Sequence, residues 1–297
     1  MIARLILVGL AACVYGETIP ELATRLGATE LVKLVTDAGL AGTLSGAGPF
    51  TVFGPTNAAF SKLPKNILER LMRDKKLLAD VLKYHVVSGN VYSSQLSNEL
   101  TAPSLLTMNG KALDIRFNIY NNGQLITADG SPVVLPNQNA SNGVIHVVDR
   151  VMFPIPFEDI PTEVTKQSAR FSTLLTAVKA ANLVSTLAGG PFTLFAPTNA
   201  AFAKIPADVL NKLLANVTAL TDVLTYHVVS GTYWSASLSN GMMPKTVEGK
   251  AVNIKIDGGK VMVNDATVEE ADLAVTNGVI HVIDTVLLPP AFDPSIY

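Results

Sequence analysis

The sequence predicts an α+β fold built twice in tandem, and three observations carry that expectation. Three blocks recur in the same order: "FTVFGPTNAAFSKLP" at 50–64 returns as "FTLFAPTNAAFAKIP" at 192–206, "LKYHVVSG" at 82–89 as "LTYHVVSG" at 224–231, and "NGVIHVVD" at 142–149 as "NGVIHVID" at 277–284. Within each unit, apolar residues first recur at helical spacing, as in "ELVKLVTDAGL" and "FSTLLTAVKAANL". After the Tyr-His octapeptide that spacing stops, and short β-branched runs separated by Asn, Gly and Pro follow. Helices first and antiparallel strands later is the α+β pattern.

The repeat also divides the chain. The first two block pairs are offset by 142 residues and the third by 135, so the second copy lacks seven residues between its two histidines. Each copy is domain-sized and able to close its own core. The expected division is 18–155 for the first domain, 156–166 for a stiff proline-containing linker, 167–290 for the second domain and 291–297 for a tail. Residues 1–16, "MIARLILVGLAACVYG", have the form of a signal peptide: one arginine, an apolar run, and Val14 and Gly16 as small residues before the cleavage point.

Each element follows from local chemistry. "FTVF" and "FTLF" read as short strands. In the Pro-Thr-Asn turns that follow, Thr56 or Asn57, and Thr198 or Asn199, are suited to cap a helix beginning near Ala58 or Ala200. Pro64 and Pro206 sit where the next helices, "PKNILERLM" and "PADVLNKLL", begin, a position proline tolerates. "LLADVLKY" and "LTDVLTY" are the helices that run into the Tyr-His step. "LLTM", "ALDIRF", "QLITA" and "PVVL" read as hairpin strands. "NGVIHVVDRVMF" and "NGVIHVIDTVLL" read as central strands, each opened by an Asn-Gly turn.

A strand ending in the Pro-Thr-Asn block, a Tyr-His step after paired helices and a terminal "NGVIHV" together resemble the fasciclin-like domain. The two copies cover nearly all of residues 18–290. The resemblance implies a wedge of antiparallel strands with helices packed on one side. It also implies the company of extracellular adhesion and matrix proteins, many of which bind integrins or collagen.

Composition narrows the functional classes. The chain has 297 residues, 48% of them apolar and 15% charged, which describes a globular protein. With residues 1–16 removed, 21 basic residues face 24 acidic ones, and the single cysteine, Cys13, is gone. A secreted chain without cysteine depends on packing rather than disulfides. A mildly acidic surface argues against nucleic acid as partner, and no later segment is apolar for long enough to insert in a membrane. The expected location is the extracellular space or matrix; the oligomeric state is not legible.

The four histidines invite a catalytic reading, which the spacing does not support. There is no nucleophile elbow and no paired-histidine zinc helix. Ser88 and Ser230 lie three residues after a histidine, as do Asp149 and Asp284, which in extended chain puts them on the opposite face. No enzyme activity, cofactor or metal site is therefore expected. For the Tyr-His step two readings stand. In one, Tyr84 and Tyr226 fill the core while His85 and His227 fix a nearby loop with a ring nitrogen, the Pro-Thr-Asn turn being a candidate. In the other, the family resemblance implies an integrin-recognition motif at Tyr84, His85, Tyr226 and His227.

A second motif implied by the resemblance is a short acidic-aliphatic stretch in the helix after the Pro-Thr-Asn block. Asp208 and Val209 match it; Asn66 stands where the first copy would need the acid. Since integrins use a ligand carboxylate to complete a bound cation's coordination, the second domain is the better receptor-binding candidate. Asp208 is equally a good first-turn acid for a helix. Asn139 (Asn-Ala-Ser) and Asn216 (Asn-Val-Thr) are glycosylation sequons expected in loops. The functional expectation is a secreted adhesion or matrix-associated protein that binds cell-surface receptors, integrins among them, or matrix proteins. The alternative is an extracellular binding module for a polysaccharide, a lipid or a small apolar ligand.

Overall fold

A computed structural model describes residues 16–155 and 157–290. All of the expected signal segment except Gly16, and the expected tail 291–297, lie outside the described residues.

The first domain opens with α1 (Ile19–Arg25), α2 (Thr29–Asp37) and α3 (Ala41–Leu44), then β1 (Phe50–Pro55). Three more helices follow, α4 (Asn57–Ser61), α5 (Lys65–Arg73) and α6 (Lys75–Tyr84), before β2 (Val86–Ser88). The strand-rich half is β3 (Thr101–Met108), β4 (Lys111–Tyr120), β5 (Leu125–Ala128), β6 (Ser131–Ala140) and β7 (Gly143–Val148). The seven strands close into a barrel. Closure comes from β1, which pairs antiparallel with β2 and parallel with β7. All other pairings in this domain are antiparallel.

The second domain repeats the plan: α7 (Ile160–Lys166), α8 (Ser168–Ala180), α9 (Val184–Leu187), β8 (Phe192–Pro197), α10 (Asn199–Ala203), α11 (Ala207–Ala215), α12 (Val217–Tyr226) and β9 (Val228–Ser230), then β10 (Ile254–Asp257), β11 (Lys260–Val263), β12 (Ala266–Val275) and β13 (Gly278–Ile283). Its sheet is open, in the order β10-β11-β12-β13-β8-β9. Where the first domain has β3, the second keeps only isolated bridges, Val229 with Thr246 and Lys245 with Ala251. Five of the seven residues absent from the second copy fall in the β3–β4 hairpin and two at the turn after β4, and the shortened hairpin lacks the strand that completes the ring.

Local chemistry places the turns as the sequence suggests. Thr56 Oγ1 accepts from the Ala59 N–H and Thr198 Oγ1 from the Ala201 N–H, so threonine caps α4 and α10. The neighbouring asparagines reach outward instead: Asn57 Oδ1 accepts from the Glu30 N–H and Asn199 Oδ1 from the Thr173 N–H, tying these helices to α2 and α8. Pro64 and Pro206 immediately precede α5 and α11.

The segment 156–166, expected as linker, contains α7, and Ile160 and Val164 are buried in the second domain's core. Asn277 explains the placement. Its Oδ1 accepts from the Ile160 N–H, while its Nδ2 donates to Leu187 O and Gly189 O. Asn142 does the same work in the first domain, accepting from the Ile19 N–H and donating to Leu44 O and Gly46 O. Each Asn-Gly step is thus a clamp that fixes the domain's first helix and the loop before its first strand. The glycine is required for closeness: a Cβ on Gly278 would lie 1.8 Å from Phe192 O, and one on Gly143 2.0 Å from Phe50 O.

Each domain has two apolar cores, one under the helices and one inside the strands. In the first domain they centre on Leu31, Val52 and Ile145, and on Phe53, Tyr84 and Phe117. In the second they centre on Leu174, Leu194 and Ile280, and on Phe195, Tyr226 and Ile254. The Tyr-His step sits where the two cores of each domain meet.

Candidate functional site

Tyr84 and His85 are 0% and 1% exposed, and Tyr226 and His227 1% each. A receptor cannot touch them without opening the domain, so the surface-recognition reading of these four residues is corrected by their burial. The reading that survives is architectural. Each histidine lies at the C-terminal end of a helix, α6 or α12, where free carbonyls are available. His85 Nδ1 lies 2.8 Å from Val81 O, and His227 Nδ1 lies 2.7 Å from Val223 O. A carbonyl only accepts, so Nδ1 carries the hydrogen. Nε2 is then an acceptor, taking the Met152 N–H in the first domain and the Leu287 N–H in the second, both at 2.9 Å. The histidine fixes the segment leaving the last strand, not the Pro-Thr-Asn turn. With both nitrogens engaged and no solvent, protonation is opposed by burial, and His85 and His227 are held down to about 4.

His146 and His281 use the opposite tautomer. Nε2–H of His146 donates to Val91 O and that of His281 to Tyr233 O, both at 2.8 Å, while Nδ1 accepts from the Asn137 and Asp272 N–H groups. Their rings stack on Phe53 and Phe195. Burial lowers both from the ordinary histidine value. All eight ring nitrogens are committed to backbone groups, and the histidines of each domain do not converge on a common point. Among the described residues no group of three or more His, Cys, Asp or Glu side chains is placed to hold a metal ion.

The tyrosine hydroxyls anchor the strand side. Tyr226 OH donates to Ala251 O and accepts from Asn264 Nδ2. Tyr84 OH lies 2.9 Å from Asp114 O and 2.7 Å from Asp129 Oδ2.

Of the remaining expected site residues, Asp208 is exposed in the first turn of α11 with Val209 half-buried beside it, and Asn66 is exposed in the corresponding place on α5. Asn139 lies not in a loop but on β6, exposed, its Oδ1 accepting from Tyr92 OH. Asn216 is the N-cap of α12, its Oδ1 accepting from the Ala219 N–H. In both sequons the amide nitrogen, which would carry a glycan, is left out of these bonds.

The structure adds a site the sequence reading missed, the junction between the domains. The Arg116 guanidinium, buried, crosses from β4 to donate to Thr276 O, Gly278 O and Thr232 Oγ1, with Glu99 beside it. Glu99 itself accepts from the Thr232 N–H and hydroxyl. Tyr120 OH donates to Thr232 O at 2.6 Å, and Trp234 Nε1–H donates to Asn118 Oδ1 at 2.9 Å. The Trp234 ring packs against Gly130, where a Cβ would approach it to 2.6 Å. Arg150 pairs with Asp272 at 2.8 Å. Buried aromatic and arginine anchors inside a ring of satisfied polar groups are what a specific interface contains. The available signal was divergence between the copies: Trp234 stands where the first copy has Tyr92, Asp272 where it has Asn137, and Gly241 where it has Glu99.

These features define a class: a tandem pair of α+β domains with histidine-stapled cores. The family model of the fasciclin domain matches residues 26–154 and 169–289, and the chain belongs to the fasciclin domain family. It is 31% identical over 249 residues to transforming growth factor-beta-induced protein ig-h3 of Sus scrofa, covering 83% of this chain and 35% of that protein. It is 32% identical over 266 residues to human periostin, covering 89% of this chain and 31% of periostin. A Synechocystis protein is 51% identical over 131 residues, 43% of this chain and 72% of that one. Among solved structures, a domain pair from the insect cell adhesion molecule fasciclin I aligns over 89% of this chain and 98% of its own, with a TM-score of 0.43 and 19% identity. The chain spans about a third of the length of the ig-h3 protein and periostin.

Proposed function

We propose that this is an extracellular adhesion or matrix-associated protein that binds cell-surface receptors or matrix proteins through the outer faces of its paired domains. The observation that carries the reading is the two-domain fasciclin match over nearly the whole chain, shared with ig-h3 and periostin. The site geometry supports it by what the histidines are occupied with: hydrogen bonds to backbone, in neutral form, in both domains. On this reading the chain performs no chemistry on its partner, and recognition falls to exposed groups. Asp208 is the candidate for a receptor that uses a bound divalent cation, because an exposed carboxylate at a helix tip can enter a cation's coordination shell. Among the described residues no helix is long and apolar enough to cross a membrane.

The test is attachment of cells to immobilised protein with and without divalent cations, comparing wild type with Asp208→Asn. The exchange removes the charge and keeps the shape, at a cost below about 1 kcal/mol for a first-turn acid. Loss of cation-dependent attachment in the variant supports the reading. Attachment unchanged by the substitution removes Asp208 from it, and absence of any attachment to folded wild type removes the adhesion reading. The small-apolar-ligand alternative gains little from the interior. In each domain a slot lies between the helices and the first strand against His85 or His227, and its volume is about 20 Å³, about one water.

A further inference from the structure

Asp129 is a half-buried residue at the turn between β5 and β6, its carboxyl turned in against Tyr84 and the Arg116 backbone, and the repeat provides its control. The equivalent residue in the second domain is Asn264, at the same turn between β11 and β12, and both adopt positive φ, 45° and 51°. Asn264 Oδ1 accepts from the Asn253 N–H at 2.8 Å, which fixes the amide's orientation, so its Nδ2 donates to Tyr226 OH. That leaves the Tyr226 hydrogen for Ala251 O. In the first domain the heavy atoms repeat this arrangement. Asp129 Oδ1 accepts from the Arg116 N–H at 2.9 Å, and Asp129 Oδ2 and Asp114 O both lie within hydrogen-bond distance of Tyr84 OH.

A tyrosine hydroxyl has one hydrogen and cannot donate fully to two oxygens. If it serves Asp114 O, as its counterpart serves Ala251 O, the 2.7 Å contact to Asp129 needs a hydrogen from Asp129. We propose that Asp129 is a protonated carboxylic acid in the folded protein, donating to Tyr84 OH as Asn264 donates to Tyr226, and that release of this proton to water loosens the hold of Arg116 on the second domain. Burial acts in the same direction, pushing Asp129 up to about 7 and the Tyr84 hydroxyl further above its ordinary value.

The link to the junction is direct. Arg116 donates its backbone N–H to Asp129 Oδ1 and accepts the Asp129 N–H at its carbonyl, while its guanidinium crosses to Thr276 O and Gly278 O. The next residue, Gly130, is the platform for Trp234. A carboxylate formed here, largely shielded from water, draws on the cation that faces it, and that cation is Arg116. The other ionisable groups facing this cluster are Tyr84 from α6 and Asp114 from β4, with Glu99 against the far side of the guanidinium and the Arg150–Asp272 pair beyond the turn.

Trp234 is the chain's single tryptophan, so its fluorescence reports this contact. Titration of the full chain from about pH 6 to about pH 9 is expected to show a one-proton change in Trp234 emission centred near 7. Asp129→Asn, which installs the residue found in the second domain, is expected to abolish the change with the domain still folded. Infrared spectra at about pH 6 should show a protonated-carboxyl carbonyl band in wild type that the variant lacks. A transition that persists in Asp129→Asn, its absence in wild type, or wild type without that band each overturns the proposal. The infrared comparison stands even if the variant folds poorly, because it is read on wild type first.

Discussion

If His227 is a neutral staple, acid should weaken the fold through it by a calculable amount. The folded protein holds its pKa to about 4 because burial disfavours the charged ring; the unfolded chain restores an ordinary value near 6.5. The sign follows from proton counting. Below pH 6.5 the unfolded chain binds a proton that the folded chain refuses, so stability is complete above that value and is lost as pH falls from 6.5 towards 4. Linkage gives a loss of about 2 kcal/mol at pH 5 and a limit of about 3 kcal/mol below pH 4 for this one histidine, with a similar effect from His85.

Carboxylates also titrate in that range, so the measurement must be a difference. Urea unfolding of wild type and His227→Gln at about pH 7.5 and pH 5 gives four stabilities. The variant is expected to be less stable at neutral pH, because the Leu287 N–H and Val223 O lose well-placed partners in a buried site. On acidification it should lose about 2 kcal/mol less than wild type, since the group responsible is gone. Equal losses in the two proteins would refute the assignment of a neutral, buried His227, whatever the variant's neutral-pH stability.

Two further expectations follow from the same geometry. Gly278→Ala puts a Cβ at 1.8 Å from Phe192 O, which only backbone movement can relieve; the second domain should fail to fold or lose several kcal/mol by urea unfolding, whereas Gly258→Ala, with open space around it, should lose far less. Produced through a eukaryotic secretory route, the chain should shift in mass on enzymatic deglycosylation; Asn139→Gln should leave stability nearly unchanged, while Asn216→Gln, which removes the α12 cap, should cost about 1 kcal/mol in the deglycosylated protein.

How much of this was legible in the sequence divides by the range of the interactions. Threonine caps, prolines before helices and the Asn-Gly openings are local, and they read correctly because side chain and backbone partner lie within a turn of one another. The burial of Tyr-His was one of two readings because periodicity reports an apolar neighbourhood, not which atoms a ring nitrogen meets. Its partner, the Met152 N–H, lies 67 residues away. In sequence the prolines of 156–166 read as a break and so as a linker, although Pro161 falls in the first turn of α7, where proline fits. Ring closure in one domain and an open sheet in the other depend on whether a hairpin five residues shorter still suffices for a strand, and no local signal states that.

The junction was illegible for a different reason: its residues occur once. Internal repetition reveals what two domains share, and the contact between them is made by what they do not share. Asn253, Lys255 and Asp265 occupy the second domain's counterparts of Arg116, Asn118 and Gly130. No guanidinium reaches out from that face, and an acidic side chain stands where a tryptophan would need bare backbone. The first domain's counterpart of the Trp234 face carries Tyr92 bonded to Asn139 and the uncharged Asn137. The two unoccupied faces therefore do not complement one another, so the contact that joins these domains cannot be repeated by stacking a second copy end to end. A partner that binds either face must do so with its own chemistry. The shared blocks build each domain, and the contact between the domains is made where the copies have diverged.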